Sequence, residues 1–167
     1  MKQMISAAEV KTLVLSRKNF DESIIKDSII EAAEQEYIKS ILGKDLYDEI
    51  RTQYKADTLN ADNKLLIDDY LKPALAHYVI YLCLPTMMVD ICSAGLRINN
   101  TEFSTSVSSA LRAEVAQTMI GLAQTFINKA IEFIEEQFDL GKYPLYDKVE
   151  NVENDTSIIG GIILDDE

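Results

Sequence analysis

Apolar residues recur in steps of three and four along most of this chain, which is the spacing of one face of an α-helix. The pattern predicts five helices, at about residues 7–15, 25–42, 46–54, 65–82 and 107–138. The fourth helix opens into an apolar run over residues 73–89 that only His77 and Thr86 interrupt. The predicted fold is therefore all-α, a bundle of about five helices with a long central helix pair.

Local signals mark the ends of several predicted helices. Ser6 and Glu9 form an S-x-x-E capping box before the first helix. Gly43 fits the left-handed position that ends the second helix, and the corner at this residue makes the second and third helices a candidate hairpin. Pro73 lacks an amide proton, which predicts a bend near Asp69, and Pro85 is expected to bend or end the fourth helix.

The stretch between the fourth and fifth helices is rich in serine, asparagine and threonine around Gly95. Its apolar residues alternate with polar neighbours, which predicts a protruding loop or a small hairpin near residues 94–106, turning around Asn99-Asn100. The residues expected to make contacts from this projection are Leu96, Arg97, Ile98, Asn99, Asn100 and Phe103.

The C-terminal residues differ in composition from the rest of the chain. From residue 147 onward there are seven acidic residues and a single lysine, so this part should not fold alone. We predict a helical domain over residues 1–146 and an acidic, extended docking arm over residues 147–167. Within the arm lies an uncharged, β-prone segment that is predicted to dock on another surface: Ile158, Ile159, Gly160, Gly161, Ile162, Ile163 and Leu164.

Composition narrows the possible functions. An apolar content of 47% is enough for a core, and 16 basic against 28 acidic residues give a net charge of −12. That charge repels phosphate backbones and anionic lipid, which disfavours a protein that grips nucleic acid or lies on a membrane. The first residues lack the apolar stretch of a signal peptide, so a cytoplasmic start is expected. Cys83 and Cys92 are expected to be buried, reduced thiols.

No residue pattern predicts catalysis. His77 is the only histidine, so it would have to serve any catalytic or metal site alone, and a core or interface position is expected instead. Glu31, Glu34 and Glu36 invite a carboxylate-metal interpretation, but a di-iron bundle needs Glu-x-x-His pairs that this chain lacks, so a solvated helical face is predicted. We therefore predict a protein that is not an enzyme, with no catalytic residue, no metal site and no cofactor.

Several segments resemble a known family of phage proteins. They are residues 68–85 (DDYLKPALAHYVIYLCLP) with the glycine-containing polar stretch that follows, residues 5–11 (ISAAEVK), residues 41–47 (ILGKDLY) and residues 143–146 (YPLY). Together they resemble the head-to-tail connector, or head-completion adaptor, proteins of tailed bacteriophages, particularly those of Bacteroidetes-infecting and crAss-like phages. The resemblance covers most of the chain to about residue 146 and consists of packing and turn residues.

The resemblance implies a structural virion protein at the neck of the particle, made in the cytoplasm of the host bacterium. About twelve copies would form a ring beneath the portal and extend the channel through which DNA leaves. The implied partners are the portal protein, neighbouring copies and further neck or tail ring proteins, while DNA passes without specific binding and no membrane is involved. The projection near residues 94–106 would face the lumen or the next ring, and the arm would dock on the portal or a neighbour.

Two other functions remain open from the residues. A cytoplasmic helical scaffold or regulatory adaptor would share the helical fold and the docking arm but act as a monomer or dimer. A small carboxylate-metal enzyme would need a site that the sequence does not supply. Ring formation separates the connector from the scaffold, because only the connector needs many copies in one assembly.

Overall fold

The computed structural model describes residues 2–15, 20–92, 95–98 and 108–146. Within these residues the chain forms five continuous helical rods and one two-stranded hairpin. The predicted all-α class and the number of helices are confirmed. The division into a helical domain and a C-terminal arm stays a prediction, because residues 147–167 lie outside the described residues.

The first rod is α1 (Ala7–Val14), and it begins at the predicted capping box. The amide of Ser6 donates to Oε2 of Glu9 at 2.8 Å, and the amide of Glu9 donates to Oγ of Ser6 at 3.3 Å. Met4 and Ile5 lie just before the box and are each 1% exposed. The start of the chain is therefore packed into the core.

The second rod comprises α2 (Asp27–Ala33), a first π-helical segment (Glu34–Ile38) and α3 (Lys39–Leu42); the third rod is α4 (Lys44–Ala56). A single 3-10 turn, Glu22–Ile24, precedes the second rod. Gly43 joins the two rods with φ 73° and ψ 163°, a backbone conformation that is open almost only to glycine. The second helix ends at Gly43 as predicted, but the predicted left-handed conformation of this residue was wrong, because its ψ is 163°.

The fourth rod comprises α5 (Ala61–Leu65), a second π-helical segment (Leu66–Leu71) and α6 (Lys72–Met88). The side chain of Asn60 caps its start by accepting from the amide of Asn63 at 2.6 Å. The second π-helical segment ends just before Pro73, and the amide of Lys72 donates to the carbonyl of Ile67, five residues back. The irregularity at this place is a change of hydrogen-bond spacing, and the predicted bend near Asp69 stays a prediction. Pro85 lies inside α6 and does not end it.

The hairpin follows α6 directly. Its strands β1 (Val89–Cys92) and β2 (Gly95–Ile98) pair antiparallel, with Val89 opposite Ile98 and Cys92 opposite Gly95. Of the two predicted alternatives, a loop or a hairpin, the hairpin is correct. Its predicted position was wrong, because β1 ends at Cys92 and β2 begins at Gly95, whereas the turn was expected at Asn99-Asn100. The physical reason is that Val89, the last residue of the apolar run, is β-branched and begins the first strand.

The fifth rod is α7 (Ser109–Asp139), within about two residues of its prediction. Ser108 caps its start, accepting from the amide of Leu111 at 3.3 Å. After α7 the chain turns back, and Tyr143 and Tyr146 are buried. Their rings meet Phe133 and Phe138 edge to face, with centroids 6.5 Å and 6.2 Å apart.

The core lies around the first half of α6. This helix packs against α7, α1 and α2, and every residue from 74 to 80 is buried. Tyr78 of α6 stacks on Tyr37 of the first π-helical segment, with ring centroids 3.8 Å apart and planes 1° from parallel. The apolar run of the sequence is thus a central helix that is covered on all sides in this half.

Candidate functional site

Two helices leave the core together. In α6 the last buried residue among those described is Cys83, and in α7 the first one is Ala123. Residues 84–88 of α6 and residues 109–122 of α7 contain no fully buried side chain among those described, although Met87 and Met119 pack against the edge of the core, and we call these two segments the projecting helix pair. The part that belongs to α7 is roughly 21 Å long. The long helix pair of the prediction thus has a buried half and a projecting half.

The projecting helix pair carries apolar side chains that one copy of the protein leaves exposed. Leu111 is 47% exposed and Leu122 is 42% exposed, and Met87 and Met119 are only partly buried. An open groove of about 500 Å³ lies between the two helices. It is lined by Tyr81, Leu82, Leu84, Pro85, Arg112, Ala113 and Ala116. An apolar surface of this kind is typical of a protein-contact site.

The hairpin continues the projecting helix pair at the end of α6. Its register sets apolar positions opposite each other, Ile91 with Leu96 and Val89 with Ile98, and sets Asp90 opposite Arg97. Of the predicted projection contacts, the structure places Leu96, Arg97 and Ile98 in β2. The other three, Asn99, Asn100 and Phe103, lie outside the described residues, and so do all seven residues of the predicted docking segment, 158–164.

Glu34 contradicts the prediction of a solvated face on the second helix. Glu36 is exposed and Glu31 is partly exposed, but Glu34 is fully buried in the first π-helical segment. Its Oε1 accepts from the amide of Met4 at 2.7 Å, and its Oε2 has no hydrogen-bond partner within the part of the chain that the structure describes. Sequence spacing could have found this, because Glu34 lies four residues after Ile30 and four before Ile38, both of which are buried.

The surroundings of Glu34 raise the pKa values of two side chains, those of Glu34 and Tyr47. Burial raises the pKa of Glu34 above its ordinary value of 4.5, while the Met4 amide and the Arg51 charge act in the opposite direction. Burial, together with the nearby Glu34 carboxylate, raises the pKa of Tyr47 to about 12. The Tyr47 hydroxyl accepts a hydrogen bond from Gln35 at 2.9 Å. This buried cluster ties the start of the chain to the second and third rods, which is a structural role.

Lys72 joins three elements of the fold: α1, the second π-helical segment and α6. Its Nζ lies 2.9 Å from Oε1 of Glu9 in α1 and 2.8 Å from Oδ1 of Asp68 in the second π-helical segment. Burial opposes the charge of Lys72, but the hydrogen bonds to Asp68 and Glu9 prevail and raise its pKa. Burial likewise opposes the charge of Glu9, and the bonds from Lys72 and Ser6 lower its pKa. The network fixes α1 on the fourth rod.

His77 is buried, as predicted for a core histidine. Its Nδ1 lies 2.7 Å from the carbonyl oxygen of Pro73, and its ring stacks on Phe126 with centroids 5.6 Å apart. Cys83 is a buried free thiol, whose pKa burial raises. The described residues contain no group of three or more histidine, cysteine, aspartate or glutamate side chains placed to hold a metal ion. Nor do they include a helix long and apolar enough to cross a membrane.

Comparison with known proteins gives one match. A protein-family model, described as a family of unknown function (DUF6712), matches residues 38–156. No curated protein and no solved structure matches the chain. The matched region runs from the end of the first π-helical segment through all of α7, so it contains the projecting helix pair and the hairpin.

Proposed function

The chain belongs to DUF6712, a family of unknown function, and from the resemblance of its segments to connector proteins we propose that it is a structural virion protein, a head-to-tail connector of a tailed bacteriophage. Copies of the chain form a ring beneath the portal, about twelve in number, and extend the channel for DNA. The protein acts by assembly and not by catalysis. Its partners are neighbouring copies, the portal protein and further ring proteins of the neck.

The observation that carries this proposal is the exposed apolar surface of the projecting helix pair. Leu111 and Leu122 are more than two fifths exposed, and an open groove lies on the other side of α7, between α7 and α6. Side chains of this size are stabilised when a partner covers them. A surface on one copy that meets a different surface on the next copy produces a head-to-tail contact, which closes into a ring when the rotation allows it. Assembly thus gives the exposed leucines a partner.

The charge of the chain supports a channel wall that does not hold DNA. The net charge of −12 opposes lasting contact with phosphates, and each fixed phosphate contact would slow the passage of the genome. The proposal places the protein at the neck of the virion, after synthesis in the cytoplasm of the host. The projection beyond α6 then faces the lumen or the next ring, and the C-terminal arm docks on the portal or a neighbour.

The experiment compares two leucines of equal exposure. Leu122 on the projecting helix pair and Leu65 on α5 are both 42% exposed. A charge at Leu122→Asp should prevent copies from packing at the projecting helix pair, whereas Leu65→Asp should leave assembly intact. Ring formation on a candidate portal is scored by electron microscopy and by sedimentation, and circular dichroism checks that both variants are helical.

The proposal requires rings from the natural chain and from Leu65→Asp, with at least a tenfold loss of assembly for Leu122→Asp, about the effect of 1.4 kcal/mol per contact. Equal assembly by the two variants would show that the projecting helix pair is not the ring contact. A natural chain that stays a monomer or dimer with every portal favours the cytoplasmic scaffold instead.

A further inference from the structure

The groove between α6 and α7 can receive an apolar segment. Its lining is apolar except for Arg112, and it remains open in the described residues. We infer that the uncharged segment of the C-terminal arm, residues 158–164, occupies the groove of its own chain until copies assemble. The segment contributes four isoleucines and one leucine and carries no charge, so its chemistry matches the groove.

The arm is long enough to reach the groove. It starts after Tyr146, which is buried with its ring 6.2 Å from that of Phe138. Along α7, Phe138 and Ala113 of the groove are roughly 37 Å apart. The residues between Tyr146 and Ile162 span at most roughly 53 Å when extended. The arm therefore reaches with length to spare, and its attachment to the same chain keeps the segment at a high local concentration.

The arm also starts on the correct side of α7. Ala113 and Phe138 are separated by almost seven whole helical turns, at about 3.6 residues per turn, so both residues lie on the same side of the helix. Tyr146, packed against Phe138, therefore delivers the arm to the side that carries the groove. The segment can then follow the edge of α7 without crossing to its opposite face.

The acidic residues at the end of the arm favour one orientation of the arm along α7. An arm that starts near the C-terminal end of α7 has to run toward the N-terminal end to reach the groove. Asp165, Asp166 and Glu167 directly follow the apolar segment, so they arrive near the first turn of α7. That turn contains no acidic residue, and Arg112 lies just beyond it. The positive end of the helix dipole and the arginine both favour carboxylates at this point.

An arm bound in the groove would control how copies of the protein assemble. This part of the inference rests on the proposed function. Ala113 and Ala116 line the groove, whereas Leu111 and Leu122 lie on the opposite side of α7 at about 100° per residue, so the arm covers the groove and leaves those leucines exposed. A neighbouring copy that contacts the groove itself then has to displace the arm. Once displaced, residues 158–164 are available to the portal or to a neighbour.

The test is a disulfide cross-link in the full-length chain. Ala113→Cys and Ile162→Cys are combined with Cys92→Ser, and the buried Cys83 is retained. Ala113 is exposed, so its replacement leaves the core intact. The matched control places the first cysteine at Asp48, an exposed position on α4, and keeps Ile162→Cys. Under mild oxidation of the dilute protein, the groove pair should form its disulfide within one chain about tenfold faster than the control pair.

A further variant tests whether the groove recognises the apolar side chains of the segment. Ile158→Asp together with Ile159→Asp, added to the groove pair, should slow its cross-link to the control rate. Equal rates for the groove and control pairs, or disulfides that join only different chains, would overturn the inference. Ring formation is scored separately with the natural chain. If the natural chain forms rings but the groove pair forms no disulfide within one chain, the inference that the arm covers the groove is overturned and the proposed function stands. If the disulfide forms within one chain but the natural chain forms no rings, the proposed function is overturned and the inference about the arm stands.

Discussion

Glu34 shows what one buried carboxylate does for the start of the chain. It is the only acidic residue buried among those described, and it holds the amide of Met4 at 2.7 Å. Glu34→Ala should lower the free energy of unfolding by about 1–3 kcal/mol, because the buried amide of Met4 loses its acceptor. Glu34→Gln keeps an acceptor oxygen and should cost less. Urea unfolding measures both; equal losses would mean that the bond to Met4 contributes little.

The pH dependence of Glu34 has a definite sign. Burial raises its pKa in the folded protein, so its contribution to stability is present below the ordinary value of 4.5 and is lost as the pH rises through the folded value. Relative to Glu34→Gln, the natural protein should therefore be less stable at about pH 7 than at about pH 4. The measurement is the difference in unfolding free energy between the two proteins at each pH. A difference that does not change with pH would contradict the burial of the charge.

Lys72 should act through its two carboxylate partners. Lys72→Met is expected to lower the free energy of unfolding by about 1 kcal/mol, a modest value because Glu9 and Asp68 are partly exposed. The loss should shrink at high salt. Since the pKa of Glu9 is lowered, its contribution is present above the ordinary value of 4.5 and disappears as the pH falls through the folded value. Lys64→Met, at an exposed site on α5, is the control and should change stability little.

At the scale of elements, the sequence predicted the helices well and their irregularities less well. Apolar spacing located all five rods, and Ser6 and Gly43 marked two of their boundaries correctly. The spacing did not predict the π-helical segments, because one extra residue in a turn changes the hydrogen-bond partners without breaking the apolar stripe. The hairpin was misplaced because the strand begins inside an apolar run, where helix and strand give the same signal.

The closing segment after α7 provides a prediction at this scale. Tyr146→Ala should lower the free energy of unfolding by about 3 kcal/mol, because Tyr146 is 4% exposed and packs on Phe138. Leu145→Ala, one residue earlier and 44% exposed, should change it by less than about 0.5 kcal/mol. Thermal unfolding followed by circular dichroism compares the two. Similar losses would mean that the segment does not close the core through Tyr146.

At the scale of the whole molecule, the body and the arm should be separable. Deleting residues 147–167 should leave helical content and cooperative unfolding unchanged, because the apolar spacing that predicts the five helices lies before residue 147. The same deletion should abolish docking on the portal. Loss of helical content or of cooperative unfolding in the truncated chain would show that the arm is part of the fold.

Recognition by the arm can be tested for its chemistry. Replacing Ile159 and Ile162 by aspartate should weaken docking more than replacing Asp165 and Asp166 by asparagine, because apolar insertion contributes more than exposed charge. The reverse order in a binding assay would assign recognition to charge.

The candidate surface was only partly visible from sequence. Apolar spacing predicted the fifth helix, but spacing alone does not say where along this helix the monomer stops covering its apolar residues. That boundary, at Ala123, depends on how far the other rods extend beside α7. Similarly, Leu111 and Ile127 are apolar residues on one helix, yet only Ile127 is buried. Tertiary packing, and not local pattern, separates the contact surface from the core.

The most direct measurement of the central claim is the mass of the purified protein by light scattering, alone and then mixed with a candidate portal protein, with electron micrographs of any large species. We expect the purified protein to be a monomer and to form a ring of about twelve copies on the portal. A monomer or dimer that remains unchanged with every portal tested would contradict this expectation.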